Sequence, residues 1–530
     1  MTAKLKFQAG HFTTAYVCTL ERREKDKMKS KLSILAVAIA TMLATSMIQM
    51  STAQAPPTLE RINIGFGVDP AREECFAPWN EWCDLPEGTV PFNVDMVDAE
   101  KTCQDGEGIY VAVLDTGLLS NYLDFFPESM VDIKEEWGIG YTHDVWYDPT
   151  GEGNWSTEYV DSVEYKFSYK PLRSDRGFIN YDDGNPLWSY YPPLDMWLPF
   201  PYGSGHGTHV TSIVTGWQLD RSDGQFWVRG VAPKVTLIPV LVLDDWIVFA
   251  DDGEGWWWSG GTWEMVAAGI RYIGDLAKEH GVKIIINMSL GGSSPSPLEE
   301  AAINYAIEQG VIVVASAGND GYEGMGWPGA FPQVISVAAA GWTQEYLRYG
   351  LGTPDPWYWW TDDVPENLWT EDPLGNKFQV YLTDFSSRPN ETLGQELWHL
   401  DVSAPGAGVK GPYKPYGSTP WGYYSVWGTS QAAPHIAGIA ALVLDKYPNI
   451  EQCKMELVLK AAGLFHRLTR GFEEERTATI FDIFSSGLLD QTWLWKDYGT
   501  GLVQVDEALW VARLMCGWGR RSGWRCNAMC

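Results

Sequence analysis

The fold class is decided by the stretch Ile109-Tyr110-Val111-Ala112-Val113-Leu114-Asp115-Thr116-Gly117. The run before Asp115 is continuously apolar and rich in β-formers, which is typical of a strand buried on both faces of a parallel sheet. Asp115 follows at the carboxyl end of this predicted strand, and open parallel sheets place their functional side chains at that edge. The stretch therefore predicts an α/β domain that presents a carboxylate at the edge of its sheet.

Three other segments supply further reactive groups. They are residues 205–210 (Gly-His-Gly-Thr-His-Val), 315–320 (Ala-Ser-Ala-Gly-Asn-Asp) and 428–435 (Gly-Thr-Ser-Gln-Ala-Ala-Pro-His). The apolar runs 284–288 and 311–315 predict two more strands, and the second leads to Asn319. Ser430 precedes a predicted helix over 432–447, so it would meet the unpaired N–H groups and the positive dipole end of a helix N-terminus.

Together these side chains are the parts of a hydrolase that attacks a carbonyl with an activated serine. The hydroxyl of Ser430 needs a base at neutral pH, and His206 would take its proton and return it to the leaving amine. Asp115 would hold the imidazole in the correct tautomer and stabilise its cation. The side chain of Asn319 and the backbone N–H of Ser430 would bind the oxyanion.

The chain resembles the subtilisin-like serine peptidases, the subtilase family, in which the triad also runs in the order Asp, His, Ser. Beyond the four segments, the resemblance rests on residues 231–233, 287–292, 385–387, 401–406 and 498–503, and it covers about residues 90–512. It implies a three-layer α/β fold with a mostly parallel central sheet between helices and long aromatic or acidic loop insertions. It also implies endopeptidase activity on polypeptides.

The resemblance assigns substrate-binding positions as well. Residues 287–292 look like the family's substrate-binding strand, so Ser289, Leu290 and Gly291 would form one wall of the S1 pocket and Gly326 its base. A glycine at that base predicts a deep pocket for large apolar or aromatic P1 side chains. The acidic residues Asp320 and Glu323 near the rim would instead favour basic P1 side chains, and this alternative stays open.

The chemistry requires no cofactor, but structural calcium is an expectation of the resemblance. Asp124 resembles a calcium-ligand position of the family that follows the catalytic acid. Asp220 and Asp223 lie in the loop after the predicted histidine helix, and carboxylate oxygens suit this ion. A solvated acidic loop is the competing interpretation.

Long insertions interrupt the predicted peptidase domain, 90–512, at about residues 126–202, 244–263 and 342–380. Their abundant Trp, Tyr, Asp and Pro residues are consistent with surface elaboration, or with aromatic walls and a surface that binds a partner. The second interpretation leads to the alternative function, a catalytically silent subtilase-like scaffold that binds a protein through its Trp-rich insertions.

Two other chemistries fit the motifs less well. Asp115-Thr116-Gly117 also matches the aspartic-peptidase signature, but that mechanism needs a second such loop and the chain has no other Asp-Thr-Gly or Asp-Ser-Gly. His206 and His209 could form half of a zinc site, but no glutamate follows in a metallopeptidase arrangement. We therefore expect His209 and also His435 to be structural.

Residues 1–55 predict an N-terminal extension with a signal peptide that starts at Met28. A basic start and the mostly apolar run 32–47 precede Ala53-Gln54-Ala55, which fits a cleavage site. Secretion is therefore expected, and retention of the segment as a membrane anchor is the alternative. The net charge of −30 argues against nucleic acid and anionic membrane partners. The resemblance implies polypeptide substrates, and a monomer is expected.

Seven cysteines follow the predicted cleavage site, and exported chains favour disulfide bonds. Cys75 with Cys83, in the lead-in 56–89, and Cys516 with Cys526, in the C-terminal tail 513–530, are the natural local pairs. Connectivity nevertheless stays open at this stage. The lead-in is too short for the propeptide domain of many subtilases, so the expectation is an enzyme that folds without one.

Overall fold

The computed structural model describes residues 62–63, 90–141, 179–180, 187–191, 196–200, 204–221, 224–249, 255–342, 380–414, 421–468, 476–477, 490–491 and 499–522. All of them belong to the larger of two units into which the chain divides, residues 57–530. The predicted extension 1–55, nearly all of the lead-in 56–89 and most of the insertions 126–202 and 342–380 lie outside the described residues. The predicted boundaries of these regions therefore stay predictions.

The strands of the described part, in chain order, are β1 (Ile62–Asn63), β2 (Tyr110–Asp115), β3 (Leu118–Leu119), β4 (Asp132–Ile133), β5 (Ile139–Gly140), β6 (Ile179–Asn180), β7 (Leu187–Tyr191), β8 (Met196–Phe200), β9 (Gly216–Arg221), β10 (Gly224–Arg229), β11 (Thr236–Leu241), β12 (Asp244–Phe249), β13 (Gly255–Gly261), β14 (Ile284–Met288), β15 (Ile312–Ser316), β16 (Ile335–Trp342), β17 (Val380–Leu382), β18 (Val402–Pro405), β19 (Val409–Tyr413), β20 (Gly422–Val426), β21 (Arg476–Thr477) and β22 (Asp490–Gln491).

The central sheet has nine strands, in the order β17-β16-β15-β14-β2-β11-β4, with β18 also paired to β16 and β5 to β11. Every pairing in this sheet is parallel except that of β16 with β17. Val111 of β2 lies opposite Ile285 of β14, and Asp115 lies opposite Leu241 of β11. β2 is buried from Val111 to Asp115, as its apolar sequence predicts.

Helices flank this sheet. They are α1 (Phe92–Asp95), α2 (Tyr122–Phe125), α3 (His206–Thr215), α4 (Trp263–His280), α5 (Pro297–Glu308), α6 (Thr429–Lys446), α7 (Gln452–Leu468) and α8 (Val505–Ser522). Helices α4 and α5 share a hydrophobic core with alternate strand residues such as Ala112, Leu114 and Ile286. Helix α6 packs against α3 and against β14, β15 and β16. Because successive side chains of a strand point to opposite faces, these two sets of helices cover opposite faces of the sheet.

The predicted α/β fold, with a mostly parallel sheet between helices, is therefore confirmed. The helix after the candidate serine differs from the prediction in one respect. Helix α6 begins at Thr429 rather than near residue 432, so Ser430 is part of its first turn. In the insertion 244–263, β12 and β13 form an antiparallel hairpin.

The predictions of a membrane anchor and of disulfide bonds can be compared with the described residues only in part. Among the described helices, none is both long and apolar enough to span a bilayer. Cys103 and Cys516 carry thiols, which argues against the suggested pairing of Cys516 with Cys526. Cys453 is disulfide-bonded, whereas Cys75, Cys83 and Cys526 lie outside the described residues, so the suggested pairing of Cys75 with Cys83 stays a prediction.

Candidate active site

Asp115 and His206 form a buried pair that joins two elements distant in sequence. Nδ1 of His206 lies 2.7 Å from Oδ1 of Asp115. Asp115 is fully buried and His206 is 2% exposed. Oδ1 of Asp115 also accepts a hydrogen bond of 2.7 Å from the N–H of Thr116, whereas Oδ2 has no hydrogen-bond partner in the described part of the chain. The carboxylate at the end of β2 is therefore directed at the imidazole at the start of α3.

The close approach of α3 to the turn after β2 fixes this geometry. Oγ1 of Thr116 accepts a hydrogen bond of 2.9 Å from the N–H of Gly207 and donates one of 3.2 Å to the carbonyl oxygen of Ser204. A Cβ atom at position 207 would lie 2.3 Å from the carbonyl oxygen of Gly117. Glycine is thus required beside the histidine, because any side chain would push α3 away from Asp115.

Ser430 is held against the segment that follows β14. Pro434 has no N–H, so the carbonyl oxygen of Ser430 lacks its ordinary donor within the helix. This oxygen accepts a hydrogen bond of 2.7 Å from Oγ of Ser289 instead. In return, Oγ of Ser430 donates to the carbonyl oxygen of Ser289 at 3.3 Å. The candidate nucleophile, which is 5% exposed, is therefore tied to a residue predicted to line the substrate cleft.

Asn319 lies at the same helix start. Its Oδ1 accepts hydrogen bonds from the N–H of Thr429 at 2.9 Å and from the Thr429 hydroxyl at 3.0 Å. A Cβ atom at Gly428 would lie 3.7 Å from Nδ2 of Asn319 and 3.6 Å from the backbone nitrogen of Ser430. The nitrogen atoms of the two predicted oxyanion donors therefore both lie near one point beside Gly428.

The residues predicted to bind substrate lie in two adjacent segments of the chain, which meet at Gly292 and Trp327. Gly292 and Trp327 exchange two backbone hydrogen bonds, of 2.8 and 2.9 Å. One residue earlier, a Cβ atom at Gly291 would lie 3.7 Å from the Cα atom of Gly326. The carbonyl oxygen of the buried Leu290 accepts a hydrogen bond of 3.2 Å from Oγ of Ser316. The structure thus brings Ser289, Leu290, Gly291 and Gly326 together, next to the loop that carries Asn319.

The two histidines expected to be structural are both fully buried. His209 contacts the carbonyl oxygen of Val409 through Nε2 at 3.1 Å, and burial lowers its pKa to about 3. His435 contacts the carbonyl oxygen of Gln431 through Nδ1 at 2.8 Å and Nδ2 of Asn93 through Nε2 at 2.9 Å. Burial lowers the pKa of His435 to about 3 as well. Both rings are therefore neutral at physiological pH and fully engaged in packing.

The residues predicted to bind calcium are only partly brought together. Asp124 and Asp220 are both exposed, and the Tyr423 hydroxyl accepts a hydrogen bond of 3.0 Å from the N–H of Asp220. Burial, with the charges of these two aspartates, raises the pKa of Tyr423 to about 12. Asp223 lies outside the described residues, within which no three His, Cys, Asp or Glu side chains are grouped to hold a metal ion. Calcium binding at these residues therefore stays a prediction.

Sequence reasoning missed two contacts that support this site. One is the reciprocal pair of hydrogen bonds between Ser289 and Ser430; Pro434 was the available signal, since it deprives the Ser430 carbonyl of its helical donor. The other is the side-chain amide of Gln395, which pairs with the backbone of Met325. Gln395 lies in an irregular loop, so no periodic pattern marks it.

The chain is similar in sequence to a known protein family and to several curated proteins. A sequence model of peptidase family S8, the subtilase family, matches residues 106–471. Subtilisin from Bacillus sp. strain TA39 is 33% identical over 248 residues, which cover 46% of this chain and 47% of that protein. Fervidolysin from Fervidobacterium pennivorans is 30% identical over 344 residues, which cover 62% of this chain and 38% of that protein. Subtilisin BL from Lederbergia lenta is 30% identical over 261 residues, which cover 49% of this chain and 70% of that protein.

The aligned part of the chain thus spans less than half of the length of the first two relatives. The family match, however, extends over more than half of this chain and includes Asp115, His206, Asn319 and Ser430. These four residues lie in the sequence motifs that resemble those of the family. The chain belongs to the subtilase family.

Proposed function

We propose that this protein is a serine endopeptidase that hydrolyses peptide bonds in polypeptides through Asp115, His206 and Ser430. The observation that carries the proposal is the buried contact of 2.7 Å between Nδ1 of His206 and Oδ1 of Asp115. A carboxylate in this position favours the tautomer that leaves Nε2 of His206 as a proton acceptor. Ser430, at the start of the helix packed on α3, is the nucleophile.

In the acylation step, His206 takes the proton of the Ser430 hydroxyl as Oγ attacks the carbonyl carbon of the scissile bond. The negative charge moves to the carbonyl oxygen, which accepts hydrogen bonds from Nδ2 of Asn319 and the N–H of Ser430. When the C–N bond breaks, His206 gives the proton to the departing amine. A water molecule then repeats the sequence on the acyl-enzyme and releases the second product with Ser430 restored.

Substrate recognition is assigned to the two adjacent segments that contain Ser289–Gly291 and Gly326. Glycine at both Gly291 and Gly326 leaves room for a large P1 side chain, so we propose a preference for apolar or aromatic residues. Burial, followed by the charge of Glu323, raises the pKa of Asp320. A preference for basic P1 side chains, through Asp320 and Glu323, is the alternative. A peptide library with varied P1 residues distinguishes the two preferences.

Compartment, cofactors and assembly extend the proposal. We propose a secreted monomer, supported by the signal-like sequence up to Ala55 and by the net charge of −30. Membrane anchoring through the same segment is the alternative. The peptide chemistry requires no cofactor. Structural calcium at Asp124, Asp220 and Asp223 remains a prediction, which the effect of a chelator on thermal unfolding would test.

The proposed function is tested by incubating a denatured protein substrate with the wild type and with Ser430→Ala. We expect fragments with new termini from the wild type and none from Ser430→Ala, whose thermal unfolding should match that of the wild type. A folded wild type that leaves every substrate intact would favour a silent scaffold instead. Cleavage by Ser430→Ala at the wild-type rate would exclude Ser430 as nucleophile.

A further inference from the structure

The loop between Asn319 and the base of the cleft is held by a second segment of the chain. We call residues 318–326 the oxyanion loop and residues 385–395 the brace. The N–H of Ser387 donates to the carbonyl oxygen of Gly318 at 2.9 Å. The N–H of Gly321 donates to Phe385 at 2.9 Å, and the N–H of Arg388 donates back to Gly321 at 2.8 Å. The brace therefore fixes the first half of the oxyanion loop through its backbone.

The second half of the oxyanion loop is held by one side chain. Oε1 of Gln395 accepts a hydrogen bond of 2.8 Å from the N–H of Met325, and Nε2 of Gln395 donates one of 2.7 Å to the carbonyl oxygen of Met325. Oε1 also accepts a hydrogen bond of 3.1 Å from the N–H of Asn390. Gln395 is 1% exposed, so these bonds are made without competition from water. The Gln395 amide thus pairs with both the N–H and the carbonyl group of Met325, as the backbone of a neighbouring β-strand would.

Met325 directly precedes the wall of the proposed S1 pocket. The next residue, Gly326, donates a backbone hydrogen bond of 2.9 Å to Ala317, two residues before Asn319. Gly326 also lies beside Gly291 of the adjacent segment. Without the Gln395 amide, the buried N–H and carbonyl groups of Met325 would both lose a partner. Such groups move toward new partners because leaving them unpaired is costly.

We propose that Gln395 is a positioning residue that sets the spacing between Gly326 and Gly291, and hence the P1 preference. This inference rests on the proposed peptidase function. Gln395 touches neither the scissile bond nor the triad; it acts through Met325. Its loss should therefore change how well different P1 side chains bind and leave the triad able to react.

The chain provides a matched control in Gln452. Oε1 of Gln452 accepts a hydrogen bond of 2.8 Å from the N–H of Val313. Its Nε2 donates one hydrogen bond of 3.0 Å to the carbonyl oxygen of Val313 and another of 2.8 Å to the carbonyl oxygen of Gln333. Gln452 is 5% exposed. It makes the same kind of amide-to-backbone pair as Gln395, but near the amino end of β15. A Gln→Met change removes three comparable hydrogen bonds at either position.

The experiment compares wild type, Gln395→Met and Gln452→Met on fluorogenic peptides that differ only at P1. Both variants should unfold at a lower temperature. In Gln395→Met, we expect KM for the best P1 peptide to rise about tenfold and its advantage in kcat/KM over the next-best P1 peptide to shrink, with labelling of Ser430 by a fluorophosphonate retained. In Gln452→Met, KM, kcat/KM and the ratio of kcat/KM between P1 peptides should all stay within about twofold of the wild type.

A second variant covers the case in which Gln395→Met does not fold. Gln395→Asn keeps the amide donor and acceptor on a side chain shorter by one methylene group, so its hydrogen bonds to Met325 should be weaker and its P1 profile intermediate. An active wild type whose P1 profile is the same in every folded Gln395 variant as in Gln452→Met would overturn this inference alone. A wild type without peptidase activity would overturn the proposed function, and this inference with it.

Discussion

Asp115→Asn is the substitution that tests the proposed triad with least change in volume. In one orientation, the new carbonyl oxygen keeps the bonds to His206 and Thr116 and the NH₂ group takes the position of Oδ2, which has no partner in the described structure. In the other orientation, the NH₂ group faces Nδ1 of His206 and forces the tautomer in which Nε2 carries the proton. Either way, the negative charge that would stabilise the imidazolium is lost.

The size of the effect follows from the burial of the pair. Because Asp115 is fully buried and His206 nearly so, little solvent screens the carboxylate from the ring at 2.7 Å. We expect kcat to fall about 10⁴-fold, the loss known for this substitution in serine-protease triads, which is ~5.5 kcal/mol of transition-state free energy. KM should change little, since Asp115 lies behind the ring and outside the proposed cleft.

The assay is steady-state hydrolysis of a chromogenic peptide, with thermal unfolding as the check on folding. Asp445→Asn is the control, because the Asp445 carboxylate, like that of Asp115, accepts backbone hydrogen bonds, in its case from the N–H groups of Asp105 and Gly106. It lies 15 residues after Ser430 in the same helix, at a distance of about 22 Å. Its kcat should stay within about twofold of the wild type. A tenfold loss or less in folded Asp115→Asn would refute the proposed role of Asp115.

Three further substitutions test other parts of the account. Asn319→Asp keeps the acceptor for Thr429 but removes the amide donor, so kcat should fall about 10²–10³-fold in steady-state kinetics; a loss below threefold would remove Asn319 from the oxyanion site. Gly207→Ala places a Cβ atom 2.3 Å from the Gly117 oxygen, so both Tm and kcat should drop, and an unchanged Tm would contradict the packing of α3 on β2. Glu299 is fully buried without a hydrogen-bond partner in the described part, and burial raises its pKa from 4.5 to about 8. The folded state then holds a proton that the unfolded state releases between these pH values, so stability falls as pH rises through this window. Glu299→Gln should lower the difference in Tm between pH 5 and pH 9, and an equal difference in both proteins would show that Glu299 does not titrate as described.

The sheet and the four reactive residues could be predicted from sequence because their signals are local. A strand buried on both faces is a continuous apolar run, and β14 was predicted at the residues where it lies. Asp115 and Asn319 follow such runs, which places them at one edge of the sheet. The start of α6 was predicted too late, since Pro434 is an unusual residue inside a helix and obscures the turn before it.

The supporting contacts could not be predicted because they join distant residues without a repeating pattern. Ser289 and Ser430 are separated by 141 positions, and Met325 and Gln395 by 70. A buried polar side chain in a loop has the same local sequence character as an exposed one. Its partner is decided by how two loops pack, and this packing depends on the whole fold.

The most direct test of the central claim is covalent labelling of the wild type with a fluorophosphonate, followed by mass spectrometry of the digested protein. This reagent reacts with a serine hydroxyl only where a base and an oxyanion site activate it. The account predicts label on Ser430, none at that site in Ser430→Ala, and much slower labelling in His206→Ala. A folded wild type that stays unlabelled, or one that is labelled on a different serine, would contradict it.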